Sequence, residues 1–346
     1  MKCAYSCKSS PRTLRLFLIV RTVFRTMVNA PFDETPDVPS MIIRPAPNWF
    51  RMLFVWHGSV LKAIIPQLAF MTLVSVLAMC THGRILGEKI PLNTTPFTLC
   101  GVALTIFLAF RNNASYERYW EARRLWGNVL ISARALISQF RNYVPASAAP
   151  FENRRVPRLL IAFSYALKHE LRHSDPSADF TRLLGAEQAA ALGTRVFRPI
   201  VLLDEVRRHL AALKRAGALS DTQLWMMDQQ INDLGAAVGG CERILATPIP
   251  FAYGVLLHRT VYAYCALLPF GLIDSIGFAT PLICVFVSYT LLALEAIASE
   301  ISDPFGLAPN NLALDAMTCT IERAVLELCD EALPPATQPG PHYQLT

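Results

Sequence analysis

The stretch whose reading decides the fold is PFTLCGVALTIFLAFRNNASYERYWEARRLW, residues Pro96–Trp126. Its first half, Pro96 to Phe110, carries no charge; its second half opens at Arg111 and is dense in arginine, glutamate and aromatics. A helix that begins in hydrocarbon and continues into water reads this way, because a helix satisfies its own backbone groups in either medium. Within the apolar half, Val102, Ile106 and Phe110 recur in steps of four, which stacks their side chains on one helix face. Such a face either packs against other helices or lines a pore, and apolar constrictions do gate pores by dewetting.

Outward from that stretch, the chain of 346 residues is 53% hydrophobic and 17% charged. A soluble domain has about a quarter of its residues charged. The apolar residues fall into four runs: Ile64 to Cys80, Pro91 to Phe110, Phe251 to Ile273 (interrupted by His258 and Arg259), and Ile276 to Leu294, which has no charge. A helix needs about 20 mostly apolar residues to cross the hydrocarbon. The pattern predicts an all-α, polytopic membrane protein with four transmembrane helices at about 60–81, 91–110, 250–273 and 276–298, and a helical cytosolic region at about 111–246.

Charge gives the chain a direction. The loop THGRILGEKIP carries only Arg84 and Lys89, and DSIGFATP carries no lysine or arginine, whereas Arg111, Arg118, Arg123, Arg124 and Arg243 flank the runs on the other side. The positive-inside rule therefore predicts that the middle segment and both termini are cytoplasmic. The net charge of +6 fits that topology rather than nucleic-acid binding, so no nucleic-acid partner is expected.

Residues 1–40 look foreign to the rest. TLRLFLIVRTVF is broken by Arg21 and Arg25, PFDETPDVPS is a proline-rich linker, and Met41 opens a second plausible start. They are expected to be a loosely ordered extension or a mis-assigned start. Trp49, Phe50, Phe54 and Trp56 suit a membrane-interface helix. In the middle segment, the second helix is expected to run to near Tyr143, followed by helices at Leu159–Arg172, Thr181–Leu192 and Ile200–Ala216. Ser220 or Asp221 caps a further helix that reaches about Ala246. Leu312–Leu333 reads as an amphipathic helix and residues 331–346 as an extended tail; no convincing strand is present. Nine cysteines lack metal-finger spacing and read as buried, reduced thiols.

Three further groups bear on function. His169-Glu170-Leu171-Arg172-His173 matches H-E-x-x-H, in which two histidines on one helix face bind zinc and the glutamate acts as general base. It supports an alternative reading as a membrane-associated zinc metalloprotease. Against it, Lys168 and Arg172 place cations among the ligands, SDPS ends the helix, and no third ligand is evident. Glu117, Arg118, Glu121 and Arg124 are spaced for ion pairs within one helix. His258 and Arg259 are costly inside a span, so they face protein or a water path, with Arg259 paired to Glu295 or Glu300 or else serving gating.

RPAPNWFRMLFVWHGSVL, the Pro96–Trp126 stretch, CERILATPIPFAY, LHRTVY and SDPFG, in this order, resemble the bestrophin family of ion channels, specifically its prokaryotic branch. The likeness covers Met41 to the C-terminus, and it implies that 41–330 is a bestrophin-like channel domain. It further implies a homopentamer in the bacterial inner membrane around a central pore, with no cofactor, no metal and no enzymatic activity. Its partners would be the lipid bilayer, monovalent ions and further copies of the chain. The family's narrow neck corresponds to Val102, Ile106 and Phe110, and its cytosolic aperture to Thr222, where the family tends to have isoleucine. The acidic calcium clasp of animal members corresponds to Leu307, Ala308, Pro309, Asn310 and Asn311, which carry no carboxylate. The resemblance implies a channel for monovalent ions, cations favoured and chloride the other ion considered. Asp221, beside Thr222, would favour cations if it faces the pore.

Overall fold

The computed structural model describes residues 58–85, 94–145 and 152–338, together with Phe50, Val55 and three two-residue strands at 41–42, 88–89 and 344–345. The expectations for residues 1–40, most of the interface helix and the end of the tail lie outside the described residues. Ten α-helices are described: α1 Leu61–Cys80, α2 Thr94–Tyr143, α3 Glu152–Leu171, α4 Ser177–Leu184, α5 Ala186–Gly193, α6 Arg198–Arg215, α7 Asp221–Ala246, α8 Phe251–Ile276, α9 Thr280–Ile301 and α10 Leu314–Leu328. Strands are confined to two antiparallel pairs, Met41–Ile42 with Gln344–Leu345 and Arg84–Ile85 with Glu88–Lys89. The fold is all-α, as the hydrophobic periodicity requires.

The chain divides into two compact units. The apolar unit comprises Ser59–Asn113 and Pro250–Ala298, and thus α1, the start of α2, α8 and most of α9. Among the described residues, three helical stretches are long and apolar enough to cross a membrane: Leu61–Cys80, the stretch from Thr95, and Phe251–Ile301. The last is divided by a short 3-10 turn, Gly277–Ala279, into α8 and α9. Gly277 has φ +60, a left-handed conformation that glycine adopts without strain. Beyond it α9 folds back along α8, so that His258, 19 residues before Gly277, meets Glu295, 18 residues after it. The core of this unit joins Ile64 and Met71 of α1, Leu104 and Leu108 of α2, Leu257, Val261 and Cys265 of α8, and Leu291 and Leu292 of α9.

The second unit comprises Ala114–Ile249 and the chain from Ser299 onward. In α2, Ala122, Trp126, Val129, Ala133, Leu136, Ile137 and Phe140 are buried, in steps of three or four apart from the adjacent pair Leu136 and Ile137. That stripe packs with the buried faces of α3, α6, α7 and α10 into one core. Ser220 caps α7 in a capping box with Gln223: the Gln223 amide N–H donates to the Ser220 hydroxyl while the glutamine carbonyl accepts from the Ser220 amide.

The helix expected at Leu159–Arg172 begins earlier, at Glu152; two other boundaries differ from expectation for local reasons. The helix expected at Thr181–Leu192 is two short ones, because Gly185 stands at φ +87 between them. The helix expected over Leu312–Leu333 ends at Leu328, with Asp330 in a left-handed turn at φ +57 and residues 331–338 outside regular structure.

Candidate functional site

The apolar half of α2 carries two stripes on opposite faces. Leu104 and Leu108, 3% and 1% exposed, lock into the core of the apolar unit. Val102, Ile106 and Phe110, 55%, 49% and 61% exposed, point away from it. Two residues along a helix turn the side chain by about 200°, so a helix held by Leu104 and Leu108 must present Ile106 and its row outward. Among the described residues of one chain, the packing explanation for that row is therefore not met.

Helical spacing extends the row in both directions. Leu99 precedes it and is exposed; Asn113 and Glu117 follow Phe110 by three and seven residues and are exposed. From the sequence, Leu99 and Asn113 were not singled out and Glu117 was read only as an ion-pair residue, although the spacing that picked out Val102, Ile106 and Phe110 includes all three. The row thus runs from apolar to polar and then to anionic.

Close helix contacts hold α2 in place. A Cβ on Gly101, the residue before Val102, would stand 2.7 Å from the Tyr264 hydroxyl oxygen. A Cβ on Gly271 would stand 2.7 Å from the Phe97 ring. Directly after Phe110, the Arg111 guanidinium is 3.5 Å from the Glu295 carboxylate. His258 Nδ1 is also hydrogen-bonded to Glu295 Oε1 at 2.8 Å. The expected pairing of Arg259 with Glu295 or Glu300 is corrected: Glu295 takes His258 and Arg111, and Glu300 accepts from the amide and side chain of Asn310, both at 3.0 Å. Adjacent residues point about 100° apart on a helix, so His258 faces α9 while Arg259 is exposed.

In the second unit, Thr222 lies in the first turn of α7 and is exposed, with the exposed Trp225 one turn on. Asp221 forms an ion pair with Lys214. The ion pairs expected within α2 also give way to longer-range partners. Arg118 donates to the carbonyls of Ile244, Thr247 and Ser302, and Glu121 pairs with Arg243.

The H-E-x-x-H residues do not converge. α3 ends at Leu171, and His173 lies beyond it in a left-handed conformation at φ +51, so it does not stack above His169. Both ring nitrogens of His169 are engaged, Nδ1 with Ser174 Oγ at 2.7 Å and Nε2 with Asp179 Oδ2 at 2.9 Å. Glu170 faces Glu242, and burial followed by that neighbouring carboxyl pushes it up to about 7 against the opposing pull of Arg198. Among the described residues no three metal-ligating side chains gather. The arrangement does not favour the metalloprotease reading.

Residues 41–327 match the family profile described as Bacterial/Fungal Bestrophin protein. The chain is 44% identical over 291 residues to a voltage-dependent anion channel-forming protein of Ralstonia nicotianae, covering 84% of this chain and 95% of that one. It is 41% identical over 312 residues to the voltage-dependent anion channel-forming protein YneE of Escherichia coli, covering 88% of this chain and 100% of that one. Among solved structures, a bacterial bestrophin homolog from Klebsiella pneumoniae superposes with a TM-score of 0.74 at 43% identity, covering 78% of this chain and 99% of that chain.

Proposed function

The chain belongs to the bacterial and fungal bestrophin family, and from that premise we propose that five copies assemble around a central pore whose hydrophobic neck is Val102, Ile106 and Phe110. It is an ion channel rather than an enzyme. In this reading α1, the apolar half of α2, α8 and α9 are four spans of the bacterial inner membrane, and the second unit and both termini are cytoplasmic. The reading is carried by one observation: an apolar row on α2 stays exposed because Leu104 and Leu108 on the opposite face hold the helix to its own chain. Thr222, exposed at the start of α7, is the second aperture.

Monovalent cations are the favoured ions, supported by the exposed Glu117 that continues the row past Phe110. Asp221 adds less than its position suggests, because Lys214 offsets its charge. The printed names of the relatives, which describe them as anion channel-forming, favour a second reading as a chloride channel. Planar-bilayer recording of the purified protein tests both points. Replacing Val102, Ile106 and Phe110 together by alanine is expected to raise unitary conductance or abolish closure; unchanged conductance and gating would overturn the neck. Reversal potentials in asymmetric NaCl decide the ion, since cation and anion selectivity give opposite signs.

A further inference from the structure

The apolar unit holds a chain of charge that the neck itself does not use. Arg111 follows Phe110 directly, its side chain is 10% exposed, and its Nη1 is shielded from solvent without a hydrogen bond. Glu295, 12% exposed, stands between Arg111 at 3.5 Å and His258 at 2.8 Å. The His258 side chain is 48% exposed. One end of this line of charge is thus the half-exposed His258, and the other end lies next to the last neck residue.

The charges can be counted. With His258 neutral, Arg111 and Glu295 cancel. With His258 protonated, the three carry one net positive charge, and Glu295 is shared between two cations. Glu295 and Arg111 are buried, where charge is only weakly screened, so a change in what Glu295 pairs with is felt at Arg111. The other charged or titratable groups on the packed helices leave that count intact. α1 carries Lys62, which is exposed; α8 itself carries Arg259, which is exposed, and Tyr262, whose ring centroid is 4.3 Å from that of His258. Glu295 is the carboxylate that faces the histidine.

We propose that His258, acting through Glu295 and Arg111, sets the ion preference at the base of the neck, so that its protonation moves the channel toward anions. This rests on the reading of Val102, Ile106 and Phe110 as the pore neck. A homopentamer would add one positive charge per copy in the same ring.

The test is a set of reversal potentials for the purified full-length protein in asymmetric NaCl, at about pH 8 and about pH 5.5. For the unmodified chain, the chloride-to-sodium permeability ratio is expected to rise several-fold as pH falls. His258→Gln is expected to hold the high-pH ratio at both values, and Glu295→Gln to favour anions at both. Since Glu295→Gln leaves Arg111 buried without its partner and risks misfolding, the half-exposed His258→Gln carries the decision. A permeability ratio in His258→Gln that follows pH as in the unmodified chain would overturn the proposal, as would a pH-independent ratio in the unmodified chain. The triple alanine neck variant is recorded alongside. If it leaves conductance and gating unchanged, the neck reading has failed; if it changes them while His258→Gln behaves as the unmodified chain, only the present proposal has failed.

Discussion

Arg118 donates from Nη2 to the carbonyl oxygen of Ile244 at 2.6 Å. Ile244 lies in the last turn of α7, where carbonyls have no partner within the helix. The same guanidinium donates from Nη1 to the Thr247 carbonyl and from Nε to the Ser302 carbonyl at 3.1 Å. One side chain on α2 therefore closes the end of α7, just before Pro248 and Pro250, and also holds the chain just past α9. Arginine suits the position because its fork presents several fixed donors at once.

Arg118→Ala is expected to destabilise the protein by about 2–4 kcal/mol, since charged hydrogen bonds are lost and carbonyls are left unsatisfied. Arg118→Lys should recover only a minor part, because an ammonium on a flexible stem cannot reach all three oxygens together. Thermal unfolding in detergent checks this; a lysine variant as stable as the unmodified chain would show that the fork does not matter.

Gly101 and Gly271 are expected to resist alanine for steric reasons. The added Cβ would meet the Tyr264 hydroxyl in one case and the Phe97 ring in the other, each at 2.7 Å. Overpacking of this kind costs about 1–3 kcal/mol. Gly101→Ala combined with Tyr264→Phe removes the nearest atom and should regain most of the loss, whereas Gly271→Ala gains nothing from that second change. Melting temperatures of the two single and two double variants separate these outcomes.

The Glu170–Glu242 contact predicts a pH dependence of stability. The Glu170 carboxyl is raised from 4.5 to about 7, first by burial and then by Glu242. A carboxyl raised in the folded state binds its proton more tightly there. Its contribution is fully present below the ordinary value and is lost as pH rises through about 7. Allowing for solvent screening of a half-buried group, unfolding free energy should fall by on the order of 1 kcal/mol between about pH 6 and pH 8 relative to Glu170→Gln. Parallel pH profiles that never diverge would remove the contact from the account.

Much of this architecture was legible in the sequence because period and charge are local properties. The end of α2 at Tyr143 followed from an unbroken helical pattern, and the α7 cap was narrowed to Ser220 or Asp221, of which Ser220 takes the position. The row at Val102, Ile106 and Phe110 was legible as a row, but the sequence could not say which face the chain itself would bury. That depended on Leu104 and Leu108 meeting α1, α8 and α9. Arg118 was misread for a physical reason: its partners are backbone carbonyls more than a hundred residues away, and any residue type supplies a carbonyl. Glu295 was offered, beside Glu300, as the carboxylate for Arg259, because an ionisable residue in a span is costly without a partner. The choice between His258 and Arg259 required the rotation of α8.

The turn at Gly277 has a consequence for how the protein is made. α8 is an awkward passenger in a membrane on its own: His258, Arg259, Pro269 and Asp274 all lie within it. His258 meets its carboxylate only after α9 has been synthesised as far as Glu295. The two helices are therefore expected to leave the insertion machinery as a hairpin rather than one after the other. Because α1 and the apolar half of α2 keep either chain in the membrane, the readout is protease added at the cytoplasmic face: α8 should be cleaved in a chain ended after Ile276 and should resist cleavage in one ended after Ile301. Glu295→Ala in the longer chain should weaken that resistance, which would place the first use of this carboxylate at birth, before any ion has passed.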